Sequence, residues 1–156
     1  MITDFQIRLA TREDVIEFQR IIHASSRDWN RETVLSCFAP NYLHWMIGLG
    51  NTMMGCAIVR KVMDYWEIMQ IVIDAHYQQQ GLGANLLRHI ISEAKNAKIK
   101  KLELEVRESN YVAFNFYRHV GFKKVGVRKK YYGGIEDAIL MDYDILVCTS
   151  DTAPNQ

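Results

Sequence analysis

The stretch IVIDAHYQQQGLGANLLRHIISEA, Ile71 to Ala94, decides how this chain is built. Ile71-Val72-Ile73 is a β-branched run with the composition of a buried strand. Asp74-Ala75-His76-Tyr77 is polar and irregular and ends it. Gln78-Gln79-Gln80-Gly81-Leu82-Gly83 follows, and a helix is expected from Gly83 to about Asn96. Leu82, Leu86, Ile90 and Ala94, with Leu87 and Ile91 beside them, recur at helical spacing as one apolar stripe. A strand, a glycine-bearing loop and a helix start form an anion site. The first helical N–H groups have no intrahelical partner and lie at the positive end of the helix dipole. Gly81 and Gly83 carry no Cβ, so a phosphate can come close to the backbone. The Q-x-x-G-x-G spacing is neither the G-x-G-x-x-G of a dinucleotide fold nor a Walker loop with its lysine. On the glycines alone, a strand-to-helix turn with no ligand is an equal reading.

Outward from this stretch the chain reads as alternating strands and helices. Gln6 to Ala10 alternates polar and apolar as a first strand. Thr11 with Asp14 three positions on makes a variant capping box. The helix after it carries Val15, Phe18, Ile21 and Ile22 on one face. Asn30 caps a short helix over 31–38, which Pro40 ends. Trp29 between them reads as an anchor at the core edge, with a substrate wall as the competing reading. Residues 42–47 form a second strand, 48–51 a turn, 52–62 a third strand and 65–73 a fourth. Their short connections suit antiparallel neighbours. Residues 101–106 form a fifth strand, parallel to the fourth because a helix lies between them. Asn110 caps a helix over 111–120 that Gly121 closes. Residues 122–130 and 137–146 pair as a hairpin around 131–136.

A length of 156 residues suits one domain, expected over 1–147, with a small polar tail at 148–156. The chain is 49% hydrophobic and 24% charged, the balance of a soluble globular protein. Its net charge of +1 gives no broad electrostatic case for nucleic acid or an anionic membrane. No apolar run approaches the roughly 20 residues of a membrane span. Cys37, Cys56 and Cys148 are far apart, have no metal-ligand spacing and are expected to be reduced, as in the cytoplasm. The five histidines form no i, i+4 ligand pair, so no metal is expected.

Four motifs in order, YQQQGLG (Tyr77 to Gly83), LEVRESN (Leu104 to Asn110), FYRHVGF (Phe116 to Phe122) and YYGGIEDAILM (Tyr131 to Met141), resemble the GNAT superfamily of N-acetyltransferases. The resemblance runs from about Gln6 to Ile145. Within the superfamily it is to the RimI group, bacterial enzymes that acetylate the N-terminal alanine of a ribosomal protein. It implies an α/β (α+β) fold, with a mixed, mostly antiparallel sheet of about seven strands and helices on both faces. It also implies acetyl-CoA as cosubstrate. Main-chain amides of Gln79, Gln80, Gly81, Leu82, Gly83 and Ala84 would hold the diphosphate. The backbone of Ile71, Val72 and Ile73 would pair with the pantetheine amides, much as a strand pairs with a peptide. Asn110 would contact the coenzyme while capping its helix.

Acyl transfer from a thioester to an amine requires a neutral amine, donors for the oxyanion and a proton for the departing thiolate. Glu103 and Glu105 share one face of the fifth strand and Leu102, Leu104 and Val106 the other. On the residues alone both glutamates read as facing water, the commoner fate of strand glutamates. The resemblance assigns the proton acceptor to Glu105 and the proton donor to Tyr117, whose alternative is a helix tyrosine packed on the sheet. Tyr131 and Tyr132 either line the entrance for a peptide or stand exposed at a hairpin tip. Three departures from the family pattern matter. Gln79 stands where arginine is frequent, Ala75 replaces a common proline, and the segment from the tyrosines to Glu136-Asp137-Ala138 is short. The expected activity is acetylation of a protein N-terminal α-amino group by direct attack. The alternatives are a small-molecule amine acetyltransferase and a coenzyme A-binding module without catalysis.

Overall fold

A computed structural model describes residues 4–25 and 29–145. The expected tail, with Cys148, lies outside the described residues. Seven strands and four α-helices follow in the order β1 (Gln6–Leu9), α1 (Val15–Ser25), α2 (Arg31–Ser36), β2 (Tyr42–Leu49), β3 (Thr52–Val62), β4 (Tyr65–Ile73), α3 (Leu82–Asn96), β5 (Lys101–Arg107), α4 (Tyr111–Val120), β6 (Lys123–Tyr132) and β7 (Glu136–Asp144). The strands hydrogen-bond in the order β1-β2-β3-β4-β5-β7-β6. β4 and β5 are parallel, while β1–β2, β2–β3, β5–β7 and β6–β7 are antiparallel. The mixed, mostly antiparallel seven-stranded sheet flanked by helices is the one expected. No described helix is long and apolar enough to cross a membrane.

The described chain divides into two compact units. The first holds the described residues up to Val62 together with Ile68–Ile90. Its core forms where the apolar face of α1 meets β2 and β3, with Phe18, Ile22, Cys56 and Ile58 fully buried. Trp29 packs against this core, half-buried, which makes it the core-edge anchor. Thr11 donates its N–H to the Asp14 carboxylate at 2.8 Å, the reciprocal half of the capping box. Asn30 accepts from the Thr33 N–H at 2.9 Å and caps α2, which ends two residues earlier than the pattern suggested. The expected turn over 48–51 is shorter. β2 runs on to Leu49 through a bulge between Ile47 and Gly48, because cross-strand pairing with Thr52 and Met53 outweighs the turn preference of Gly48.

Asp74 joins the end of β4 to α1. It is buried, and Arg20 donates to its Oδ2 at 3.0 Å while the His76 N–H and ring Nδ1 lie 2.9 Å from its Oδ1. Its own N–H reaches the Met54 carbonyl at 2.8 Å. So Asp74 does more than end a strand: it caps a 3-10 turn over Ala75–Tyr77 and fixes the direction of the loop that follows.

The second unit holds Met63–Glu67 and the described residues from Ile91 on. Tyr65, Trp66 and Glu67 pair with Lys101, Leu102 and Glu103, the parallel ladder of β4 with β5. Burial alternates along β5 as expected, with Leu102, Leu104 and Val106 buried. Gly121 has φ +129 and closes α4, and Phe122 is buried behind it. The hairpin differs from expectation at its tip. Tyr131 and Tyr132 belong to β6, and the turn is confined to 133–135, where Gly133 and Gly134 both have positive φ.

The Asp74 carboxyl is held down at about 2, first by the His76 N–H, then by the His76 ring and by Arg20. Its unfolded value is about 3.9, so this stabilisation is complete above that pH and is lost as pH falls toward 2. Asp74→Asn should cost about 2 kcal/mol near neutral pH in urea unfolding. The gap to the wild type should close on acidification, and a gap that stays constant would refute the account.

Candidate active site

In the first unit the loop after β4 is shaped before α3 begins. The Gln78 side chain donates to the Ile73 carbonyl at 3.1 Å and ties the loop back to its strand. Gln79 has φ +61 and Gly81 φ +80, two left-handed residues two positions apart. Gly81 takes this conformation freely, but Gln79 does not, and such a non-glycine outlier costs of order 1–3 kcal/mol. The first helical hydrogen bond runs from the Asn85 N–H to the Gly81 carbonyl at 3.1 Å, and the Asn85 side chain donates to the same oxygen at 2.9 Å. The amides of Leu82, Gly83 and Ala84 therefore precede the first helical bond and lie at the positive end of α3. α3 starts at Leu82, one residue earlier than expected, with Leu82 buried and Gln79 and Gly81 exposed. Of the strand that leads in, Val72 is buried and Ile71 and Ile73 are half-buried.

In the second unit the register fixes which side chains meet. Glu105 is opposite Leu140 on β7, and Arg107 is opposite Ala138. On the other side of β7, Arg128 of β6 is also in register with Ala138. Glu105, Arg107, Ala138, Leu140 and Arg128 thus share one face. Arg128 Nη2 donates to Glu105 Oε1 at 3.0 Å, and the Arg128 guanidinium lies 4.8 Å from the Tyr131 ring centre. Tyr131 and Tyr132 meet edge to face at 5.1 Å. The Arg107 guanidinium covers Tyr132 at 4.1 Å and reaches Glu136 at 3.4 Å. Burial raises the Tyr132 phenol, and the nearby Glu105 charge raises it further. Glu105 and the tyrosine pair are therefore brought into one cluster. Glu103, its neighbour on the same face, pairs with Lys101 at 2.9 Å instead.

The segment Glu136-Asp137-Ala138, which sequence reasoning gave no residue-level role, has one for each position. Glu136 accepts from the Ser109 N–H at 2.7 Å, tying the start of β7 to the residue before Asn110. Ser109, ahead of Arg107, holds the Glu136 carboxyl below its ordinary value. Asp137 accepts from the Lys130 N–H at 2.7 Å. Ala138 is fully buried between the two arginines, where a longer side chain would collide with them. Lys130 has φ +49, and four steps of β6 match two of β7 between Arg128 and Tyr132. That bulge is what places the tyrosines, and no composition signal marks it.

Tyr117 belongs to a different group of rings. It packs edge to face on Phe116 at 5.2 Å and on Phe122 at 5.7 Å, and Phe122 packs on Tyr143 at 5.4 Å. Tyr143 is in register with Leu102, so it lies on the face of the sheet opposite to Glu105. Burial pushes the Tyr117 phenol well above its usual value, which keeps its proton on at neutral pH. Asn110 accepts from the Ala113 N–H at 3.1 Å, the expected cap. Among the described residues, no group of histidine, cysteine and carboxylate side chains is arranged to hold a metal.

Residues 7–122 match the Acetyltransferase (GNAT) family. A [ribosomal protein bS18]-alanine N-acetyltransferase of Escherichia coli K12 is 37% identical over 116 residues, 72% of this chain and 78% of that one. The same-named protein of Haemophilus influenzae is 34% identical over 140 residues, 87% of this chain and 94% of that one. The crystal structure of the ribosomal-protein-S18-alanine N-acetyltransferase from E. coli superposes with a TM-score of 0.83 at 32% identity, covering 90% and 94% of the two chains. Ard1 from Thermoplasma volcanium reaches the same TM-score at 20% identity, a likeness of fold. The chain belongs to the GNAT acetyltransferase family.

Proposed function

We propose that this chain transfers the acetyl group of acetyl-coenzyme A to a protein N-terminal α-amino group, on an alanine that begins a small-subunit ribosomal protein. The observation that carries this is the identity of 37% and 34% to bS18-alanine N-acetyltransferases over most of each chain. Fold alone does not specify an acceptor. A GNAT acetyltransferase from Elizabethkingia anophelis, 22% identical, was crystallised with acetyl-CoA.

The loop fits a diphosphate. Left-handed backbone at Gln79 and Gly81, together with amides ahead of the first helical bond, is the donor arrangement anions take. Amides of residues from Gln79 to Ala84 hold the diphosphate, the backbone of Ile71, Val72 and Ile73 pairs with the pantetheine, and Asn110 contacts the coenzyme. The coenzyme supplies an activated acetyl carbon and a thiol leaving group. A protein α-amine has a pKa of about 7.7–8.0, against about 10.4 for lysine, so little basicity is needed to keep it neutral. Glu105 accepts its proton, directly or through water. Tyr117 holds its phenolic proton until the thiolate departs, passes that proton to the sulfur, whose thiol has a pKa of about 8.5, and regains one from water. Tyr131 and Tyr132 line the entrance and favour a chain terminus over a long lysine side chain. Attack is direct: burial raises both the Cys37 and the Cys56 thiols, the latter to about 12, and such thiols are poor nucleophiles.

Steady-state assays should show acetylation of an alanine-initiated peptide at a kcat/KM far above that for polyamines or free amino acids. The reverse preference would overturn the acceptor, and no transfer to any amine would leave a binding module. Glu105→Gln and Tyr117→Phe should each lower kcat by about 10²–10⁴, with acetyl-CoA binding unchanged by calorimetry. Wild-type rates in both would remove the mechanism. Gly81→Val places a β-branched residue at φ +80 and should weaken acetyl-CoA binding roughly tenfold or more.

A further inference from the structure

One partner of Glu105 comes from two strands away. β7 lies between β5 and β6, and two strand spacings are about 10 Å. Only a long side chain crosses that gap, and it needs a small residue beneath it. Arg128 is the long one and buried Ala138, its register partner on β7, is the small one. At the far end its guanidinium touches Glu105 at 3.0 Å, and it also lies 4.8 Å from the Tyr131 ring centre. Its side chain is 53% exposed and that of Glu105 21%. An ion pair so open to water adds little to stability. Its weight falls instead on the carboxylate, which a hydrogen-bonding guanidinium holds in one orientation.

We propose that Arg128 is a positioning residue for acetyl transfer, acting through Glu105 and steadied by the face of Tyr131. The proposal rests on Glu105 being the proton acceptor. A planar guanidinium can bridge a carboxylate and a ring in a way a lysine ammonium cannot. Arg128 thereby couples the tyrosine pair to the base.

The test is a double-mutant cycle in the full chain with acetyl-CoA and an alanine-initiated peptide. Arg128→Gln should lower kcat roughly tenfold or more, with the acetyl-CoA KM unchanged. On a Glu105→Gln background the same change should alter kcat less than about twofold, since groups that act as one are not additive. Arg128→Lys should recover part of the loss. A wild-type rate for Arg128→Gln, or an equal fold-loss on both backgrounds, overturns the proposal. Where Arg128→Gln does not melt as a folded protein, Arg128→Lys on the two backgrounds gives the same decision. A Glu105→Gln enzyme at full rate overturns the base and this proposal together. A slow Glu105→Gln beside a fast Arg128→Gln overturns only the role of Arg128.

Discussion

A strand cannot reach a parallel neighbour by a tight turn. It needs a crossover of a dozen or more residues that returns the chain to its starting edge. β4 and β5 are parallel, and α3 is that crossover. From this constraint follows a loop at the C-terminal end of β4 and a helix that begins there with unpaired amides. The chain puts Gln79 and Gly81, both left-handed, at that point. Asp74 anchors the approach to it with bonds to Arg20, His76 and Met54. The loop geometry is thus held from the strand side and from α1.

The second unit depends on register in the same way. A strand side chain meets the residue opposite it and those two places along. With Glu105 opposite Leu140 and Arg107 opposite Ala138, the two arginines that cover Tyr131 and Tyr132 stand on either side of one small residue. The Glu-Asp-Ala segment then makes structural sense position by position: a tie to the start of α4, an acceptor at the β6 bulge, and a gap between the guanidiniums. On the opposite face Tyr117 packs on Phe122, which in turn packs on Tyr143. Base and acid candidates therefore owe their environments to different packing, one ionic and partly wet, the other aromatic and dry. The dry aromatic environment of Tyr117 keeps its phenol protonated.

Similarity to a bS18-alanine N-acetyltransferase of Haemophilus influenzae extends over 87% of this chain. Two of the three departures from the family pattern, at Ala75 and Gln79, fall in and beside the loop. Gln79 lacks the charge of an arginine, and its backbone turns left-handed at φ +61. Ala75 stands inside the 3-10 turn that Asp74 caps, where a carboxylate cap rather than a proline ring sets the conformation.

Most elements were legible because their causes are local. Period-two burial along β5, the 3.6-residue stripe of α3, and the asparagine caps of α2 and α4 depend on residues a few positions apart, and the structure follows them closely. The extension of β2 past Gly48 and the passage of Tyr131 and Tyr132 into β6 were not legible, because a neighbouring strand decided them. The site divides along the same line. The sequence by itself determined the loop, the glutamate on its strand face and the tyrosine on its helix, since spacing alone puts them there. Only the tertiary structure decided that Arg128 would answer Glu105 across an intervening strand. That pairing is set by the register of three strands and one bulge, and no window of sequence contains them all.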